Sequence, residues 1–115
     1  MLNFIANVYA VERHHERENI KKWDKYGNNM LLWHGTKPEN VVGILHTGFR
    51  IAPSDSEHTG AMFGDGIYFS DIFTKAFNYT SSPNCHQFSY GKKHVKPPKK
   101  YMFLCEVALG TSKEL

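Results

Sequence analysis

Apolar and polar residues alternate unevenly along this chain, and the unevenness marks out its elements. Phe4-Ile5-Ala6-Asn7-Val8-Tyr9-Ala10-Val11 is β-branched and aromatic with partial alternation, which predicts a first strand. Glu12–Lys25 is charged, with Ile20, Trp23 and the following Tyr26 as its few apolar anchors. That stretch predicts a loop with room for one helical turn, ended by Gly27-Asn28-Asn29. Met30–His34 is a short apolar run of the kind that forms a buried strand. Lys37-Pro38-Glu39-Asn40 predicts a helix start, because proline suits a first turn, and Gly48 suits its end. Val41, Ile44 and Leu45 would form the buried stripe of that helix.

Pro53–Gly60 has little to bury and predicts a loop, followed by a brief extended piece at Gly66–Phe69. Ser70 can cap a helix over Asp71–Tyr79 whose Ile72, Phe73, Ala76 and Phe77 would face inward. Thr80–Lys100 predicts a long irregular segment, and Tyr101–Leu109 a second strong strand. Strands at both ends with helices between them imply a mixed α+β sheet.

Composition narrows this picture little. At 115 residues the chain makes at most one small domain, residues 1–115, with no internal repeat and no linker. Net charge is +3, from 14 Lys+Arg against 11 Asp+Glu, too weak alone to imply nucleic acid. The lysines Lys92, Lys93, Lys96, Lys99 and Lys100 cluster around Pro97-Pro98, as in a solvated loop or a polyanion contact. Cys85 and Cys105 make a poor disulfide framework, and no secretory signal or membrane-length apolar run accompanies them. The expected setting is reducing and intracellular, with no membrane partner. His14-His15, His94, and His86 beside Cys85 lack metal-ligand spacing, so no metal site is expected.

The chemistry lies in two glycine-flanked blocks. One is Leu31-Leu32-Trp33-His34-Gly35-Thr36; the other is Gly60-Ala61-Met62-Phe63-Gly64-Asp65-Gly66-Ile67-Tyr68-Phe69-Ser70. In each, an apolar run delivers a polar or aromatic side chain beside glycine, where a ligand can approach the backbone. A histidine and a tyrosine so placed can clamp a flat, hydrogen-bonding ligand.

With Gly43-Ile44-Leu45, Gly48-Phe49-Arg50-Ile51-Ala52-Pro53, Thr59–Asp71 and Glu106-Val107-Ala108-Leu109-Gly110, these blocks resemble the catalytic domain of the poly(ADP-ribose) polymerase family. The likeness runs from about Phe4 to Leu115. It is nearest the DNA-dependent branch, on Arg50-Ile51-Ala52-Pro53 and Glu106–Gly110. The resemblance implies an ADP-ribosyltransferase fold: α+β, a split mixed or antiparallel β core with short helices, incomplete at the C-terminus.

It further implies that NAD+ is the donor substrate, that the nicotinamide–ribose bond is cleaved, and that ADP-ribose passes to protein acceptors, as poly-ADP-ribosylation. The alternatives are a mono-ADP-ribosyltransferase and an inactive module that binds NAD or a polyanion. By resemblance, His34 hydrogen-bonds the adenosine-side ribose and the Gly35 backbone holds the nicotinamide carboxamide. Tyr68 and Tyr79 stack on the pyridinium, Thr36, Gly43 and Arg50 lie around the adenosine and diphosphate, and Lys75 lies near the ribose. His34 and Tyr68 are the catalytic candidates. Nuclear residence, and an indirect link to DNA through upstream regulatory regions, are likewise implied by the resemblance.

Four departures accompany the likeness. The family's third catalytic residue, a glutamate, lies on a strand beyond the point where this chain ends, and neither Glu106 nor Glu114 takes its place. Full activity is therefore not expected of these 115 residues alone. Ala76 stands where the branch has a serine that bonds the carboxamide, so donor binding should be weaker here than with serine. Ala61 replaces a tyrosine over the donor site. The Lys- and Pro-rich insertion at 81–100 is longer than the branch's own.

Overall fold

The structure, a computed structural model, describes residues 5–51, 64–81 and 99–113. The head of the second glycine block with Ala61, the loop at 53–60, most of the 81–100 insertion and Glu114 lie outside the described residues. The elements in order are helix α1 (Glu16–Trp23), strand β1 (Asn29–Gly35), helix α2 (Pro38–Thr47), helix α3 (Phe73–Phe77) and strand β2 (Met102–Ala108). A 3-10 turn at Asp24–Tyr26 continues α1. Helices and a two-stranded antiparallel sheet make this an α+β arrangement.

β1 and β2 pair over their full length, from Asn29↔Ala108 to Gly35↔Met102. Directly opposed residues share a face of the sheet. One face therefore carries Leu32, His34, Phe103 and Cys105, and the other carries Leu31, Trp33, Gly35, Leu104 and Glu106. Leu32 is buried on the first face. On the second face α3 covers only the Trp33–Gly35 end: Phe73 meets the Trp33 ring edge-on at 5.0 Å, and a Cβ on Gly35 would lie 1.8 Å from the Ala76 carbonyl oxygen. Leu31 and Leu104 on that same face stay exposed.

α2 forms as the sequence predicts. Pro38 sits in the first turn and Gly48 ends the helix at φ +85°, donating its N–H to the Ile44 carbonyl at 2.8 Å. That φ is one a side chain adopts only at a cost, so glycine belongs there. Val41 alone of its stripe is buried, Ile44 is half-buried and Leu45 is exposed.

Several expectations are corrected. Residues 5–11 form no strand; Ile5, Val8, Tyr9 and Val11 are exposed, and no strand pairs with them among the described residues. β-branched composition makes a strand only where a partner satisfies its peptide groups. The segment read as a loop from Glu12 holds α1, two turns long. It is stabilised by charge placement, with Glu16 and Glu18 in its first turn and Lys21 and Lys22 in its last, which suits the helix dipole. The Glu16 carboxylate also accepts the Arg13 backbone N–H at 2.9 Å, closing the helix start. Gly66–Phe69 is irregular, and pairing there is confined to one bridge at Ser70. The predicted helix at Asp71–Tyr79 shortens to α3. The Ser70 hydroxyl accepts the Ile72 N–H at 3.0 Å, so the chain turns before the helix begins. Ala76 is buried, whereas Ile72, Phe73 and Phe77 remain exposed.

Candidate active site

β1 places Trp33, His34 and Gly35 in succession, and the second glycine block runs alongside it. Trp33 donates its N–H to the Ser70 carbonyl at 2.7 Å and accepts the Ser70 N–H at 2.9 Å. Both hydrogen-bonding groups of Trp33 thus point away from β2. Backbone direction alternates along a strand, so those of Gly35, two residues on, lie along the same edge. Among the described residues no hydrogen bond is made to the Gly35 N–H or C=O on that edge, and such a pair matches the acceptor and donor of a carboxamide.

The absence of a side chain at Gly35 has a second reason that the sequence did not reveal. Besides the Ala76 oxygen at 1.8 Å, an added Cβ would meet the Ala76 carbonyl carbon at 2.7 Å and a methyl of Thr80 at 3.3 Å. Glycine is required here by the close seat of α3, not only by access for a ligand. Thr80, absent from the sequence-based candidates, has no exposed surface, and its hydroxyl donates to the Phe77 carbonyl at 2.6 Å. It closes the end of α3 over Gly35.

His34 is half-buried. Its Nδ1 lies 2.8 Å from the Tyr68 carbonyl oxygen. A carbonyl only accepts, so Nδ1 carries the proton and donates. In the neutral ring Nε2 then holds a lone pair, able to accept from a hydroxyl such as that of ribose. Burial lowers the imidazole pKa below 6.5, while the Tyr68 hydrogen bond opposes the shift in part. The desolvating wall is aromatic: Phe49 meets the ring edge-on at 4.7 Å, with Phe69 at 5.4 Å and Phe103 at 6.4 Å. Phe49 also contacts Phe69 at 5.4 Å and Phe103 at 5.7 Å. Sequence reasoning missed this cluster; its one signal was Phe103 at an alternating position of β2.

The other candidates fall at differing distances from this centre. The Tyr68 phenol is exposed in part and donates to the Gly64 carbonyl, so its tip is anchored to the start of its own loop. Thr36 is buried at the end of β1, where its hydroxyl accepts from the Asn40 side chain at 3.2 Å. Lys75 lies on α3 and Tyr79 just beyond it, both exposed; the Ala76 carbonyl between them, which lies against Gly35, accepts the Tyr79 N–H at 3.1 Å. Gly43 lies on the exposed side of α2, with open space where a Cβ would be, and Arg50 is exposed beyond α2. No hydrogen bond, ion pair or ring contact links Gly43, Arg50 or Lys75 to His34 among the described residues. The structure thus brings together His34, Gly35 and the Tyr68 backbone and sets α3 beside them, while Arg50 directly follows Phe49, whose ring packs on His34.

No group of histidine, cysteine and carboxylate side chains among the described residues could hold a metal. Cys105 is a free thiol whose pKa rises to about 11, through burial and then the Glu16 carboxylate. No helix among the described residues is long and apolar enough to cross a membrane.

The poly(ADP-ribose) polymerase catalytic-domain model matches residues 1–115, and the chain belongs to that family. Among its relatives, poly [ADP-ribose] polymerase 2-A of Oryza sativa subsp. japonica is 42% identical over 111 residues, covering 96% of this chain and 15% of the relative. Poly [ADP-ribose] polymerase 1 of Arabidopsis thaliana is 43% identical over 112 residues, covering 96% of this chain and 10% of its own length. Poly [ADP-ribose] polymerase 1 of Gallus gallus is 39% identical over 111 residues, again covering 96% and 10%. The chain therefore spans a small part of the relatives it matches.

Proposed function

We propose that this chain forms the donor-binding part of an NAD+-dependent ADP-ribosyltransferase, within an ADP-ribosyltransferase fold, and serves poly-ADP-ribosylation of protein acceptors in the nucleus. The observation that supports the reading is the contact between the two glycine-flanked segments: His34 bonded to the Tyr68 backbone, beside a Gly35 peptide that is without a hydrogen-bond partner on its outer edge among the described residues. The donor set suits NAD+. Nε2 of His34 accepts from a ribose hydroxyl, and the Gly35 peptide pairs with the carboxamide. Tyr68 and Tyr79 offer rings to the cationic pyridinium, where quadrupole and charge attract. Arg50 supplies a fork suited to the diphosphate, and Thr36, Gly43 and Lys75 complete the surroundings.

In the reaction the nicotinamide–ribose bond breaks and its electron pair leaves with nicotinamide. The ribose takes on oxocarbenium character, and an acceptor nucleophile then bonds the anomeric carbon. The chain's contribution is to fix the nicotinamide while the ribose moves away from it, which is positional catalysis.

The test is nicotinamide release from NAD+ by the whole protein that carries this chain. Wild-type protein is expected to release nicotinamide and to build polymer on acceptors. His34→Ala and Tyr68→Ala are each expected to lower kcat/KM by roughly 100-fold, the loss of about 2.7 kcal/mol of transition-state stabilisation. Single ADP-ribose units in place of polymer would overturn the polymerase reading in favour of mono-transfer. Saturable NAD+ binding without release would overturn the enzyme reading.

A further inference from the structure

The charged stretch ahead of α1 holds a residue that neither glycine block explains. Arg13 reaches across to the far end of α2. Its Nε donates to the Leu45 carbonyl at 3.1 Å and its Nη2 to the His46 carbonyl at 3.3 Å. These belong to the last turn of α2, whose carbonyls have no partner within the helix and carry the negative end of its dipole. The guanidinium also lies over Gly48: a Cβ there would come within 2.6 Å of Nη1. The next residue is Phe49, whose ring stands against His34 at 4.7 Å. At its other end Arg13 is held by its own backbone, which donates to the Glu16 carboxylate at 2.9 Å.

We propose that Arg13 is a positioning residue for the reaction, fixing the Gly48–Phe49 corner so that the Phe49 ring stays against His34 and keeps water from the imidazole. The path is short and every link is a contact: guanidinium to the end of α2, Gly48 to Phe49, Phe49 to His34. Arginine fits this place better than lysine, because a planar fork reaches two carbonyls and lies flat over a glycine. Among the described residues the side chains in ring contact with His34 are Phe49, Phe69 and Phe103, none of them charged; its polar contact is the Tyr68 carbonyl, and the titratable neighbour on the same sheet face is the Cys105 thiol. The titration of His34 therefore reports water access to its pocket. The inference deepens the function proposed above and rests on His34 being the group that touches NAD+.

The experiment follows the His34 imidazole resonance against pH in the whole protein, assigned with His34→Gln, alongside KM and kcat for nicotinamide release. Arg13→Lys keeps the charge and loses the fork, so any change it makes is one of position. It is expected to move the His34 titration up toward the ordinary histidine range and to raise KM for NAD+ by roughly threefold or more. Phe49→Ala should produce the same upward movement, and the double variant should move no further than Phe49→Ala alone. Arg17→Gln removes a nearby charge that pairs with Glu12 and should leave the titration where it is. If Arg13→Lys lowers the melting temperature while the His34 titration stays at the wild-type value, Arg13 is only a clip between α1 and α2 and the proposal fails. The titration needs no NAD+. A protein that never releases nicotinamide would sink the proposed function, while the path from Arg13 to His34 would still be judged by its own measurement.

Discussion

At the scale of single residues, Gly35 and His34 constrain the site most. Gly35→Ala would drive a methyl into the Ala76 carbonyl at 1.8 Å, against backbone that cannot rotate aside. The expected result is a loss of about 1–3 kcal/mol of stability, read by denaturant unfolding, together with loss of nicotinamide release as α3 shifts. His34 gives a pH signature. Its folded pKa lies below 6.5, so between that value and 6.5 the unfolded chain binds more protons than the folded one. Stability from this group is complete above pH 6.5 and is lost as pH falls through the lowered value. Thermal melts of wild type should therefore decline on the acid side of pH 6.5 more steeply than those of His34→Gln. Cys105, with its thiol near 11, should resist alkylation: at pH 8 on the order of a thousandth of it is thiolate. Peptide mapping after iodoacetamide treatment checks this, and rapid labelling of the native protein at Cys105 would contradict it.

At the scale of elements, α3 shows how a segment too short to be helical alone is kept helical by what it touches. Five residues cannot offset the cost of helix nucleation. Trp33 against Phe73, Gly35 against Ala76, and Thr80 on the Phe77 carbonyl supply what is missing. Thr80→Val keeps the shape and removes the hydroxyl. It should cost about 1 kcal/mol, measured by chemical denaturation, since the Thr80 N–H still reaches the same carbonyl at 3.1 Å.

The sequence made some of these elements plain and hid others for physical reasons. β1 and β2 were visible as short apolar runs, bounded by Asn28-Asn29 and Gly35 in the first case and by Pro97-Pro98 and Gly110 in the second, and α2 because Pro38 and Gly48 mark its ends. α1 was hidden because charge placement holds it and an apolar stripe does not; its Ile20 and Trp23 remain exposed. Val8 and Tyr9 have strand-forming side chains but no pairing partner among the described residues, and side-chain type cannot supply one. In the candidate site, the nearness of His34 to the Tyr68 backbone was foreshadowed by the two glycine-flanked blocks. Arg13, Phe49 and Thr80 were not, because their meaning lies in contacts between residues distant in sequence.

At the scale of the molecule, apolar burial among the described residues is slight. Leu32, Val41 and Ala76 are the buried apolar side chains among the described residues, while Leu31, Leu104, Ile72 and Phe73 lie open on or beside the α3 side of the sheet. Fully burying a Leu or Val stabilises by roughly 1.5–3 kcal/mol, so two such residues and an alanine supply little against the ordering of the chain. This polypeptide produced alone should melt broadly, bind a hydrophobic dye and self-associate. Calorimetry with sedimentation velocity checks the expectation; a sharp, reversible monomer melt above about 50 °C would refute it.

The Trp33–Ser70 bridge has a mechanical corollary. Two reciprocal hydrogen bonds, reinforced by the imidazole on the Tyr68 carbonyl, tie Trp33-His34 to Tyr68–Ser70. Cutting that joint, for example with Ser70→Pro, which removes one of the two bonds, should therefore loosen the His34 and Tyr68 segments together, read as faster amide exchange at both.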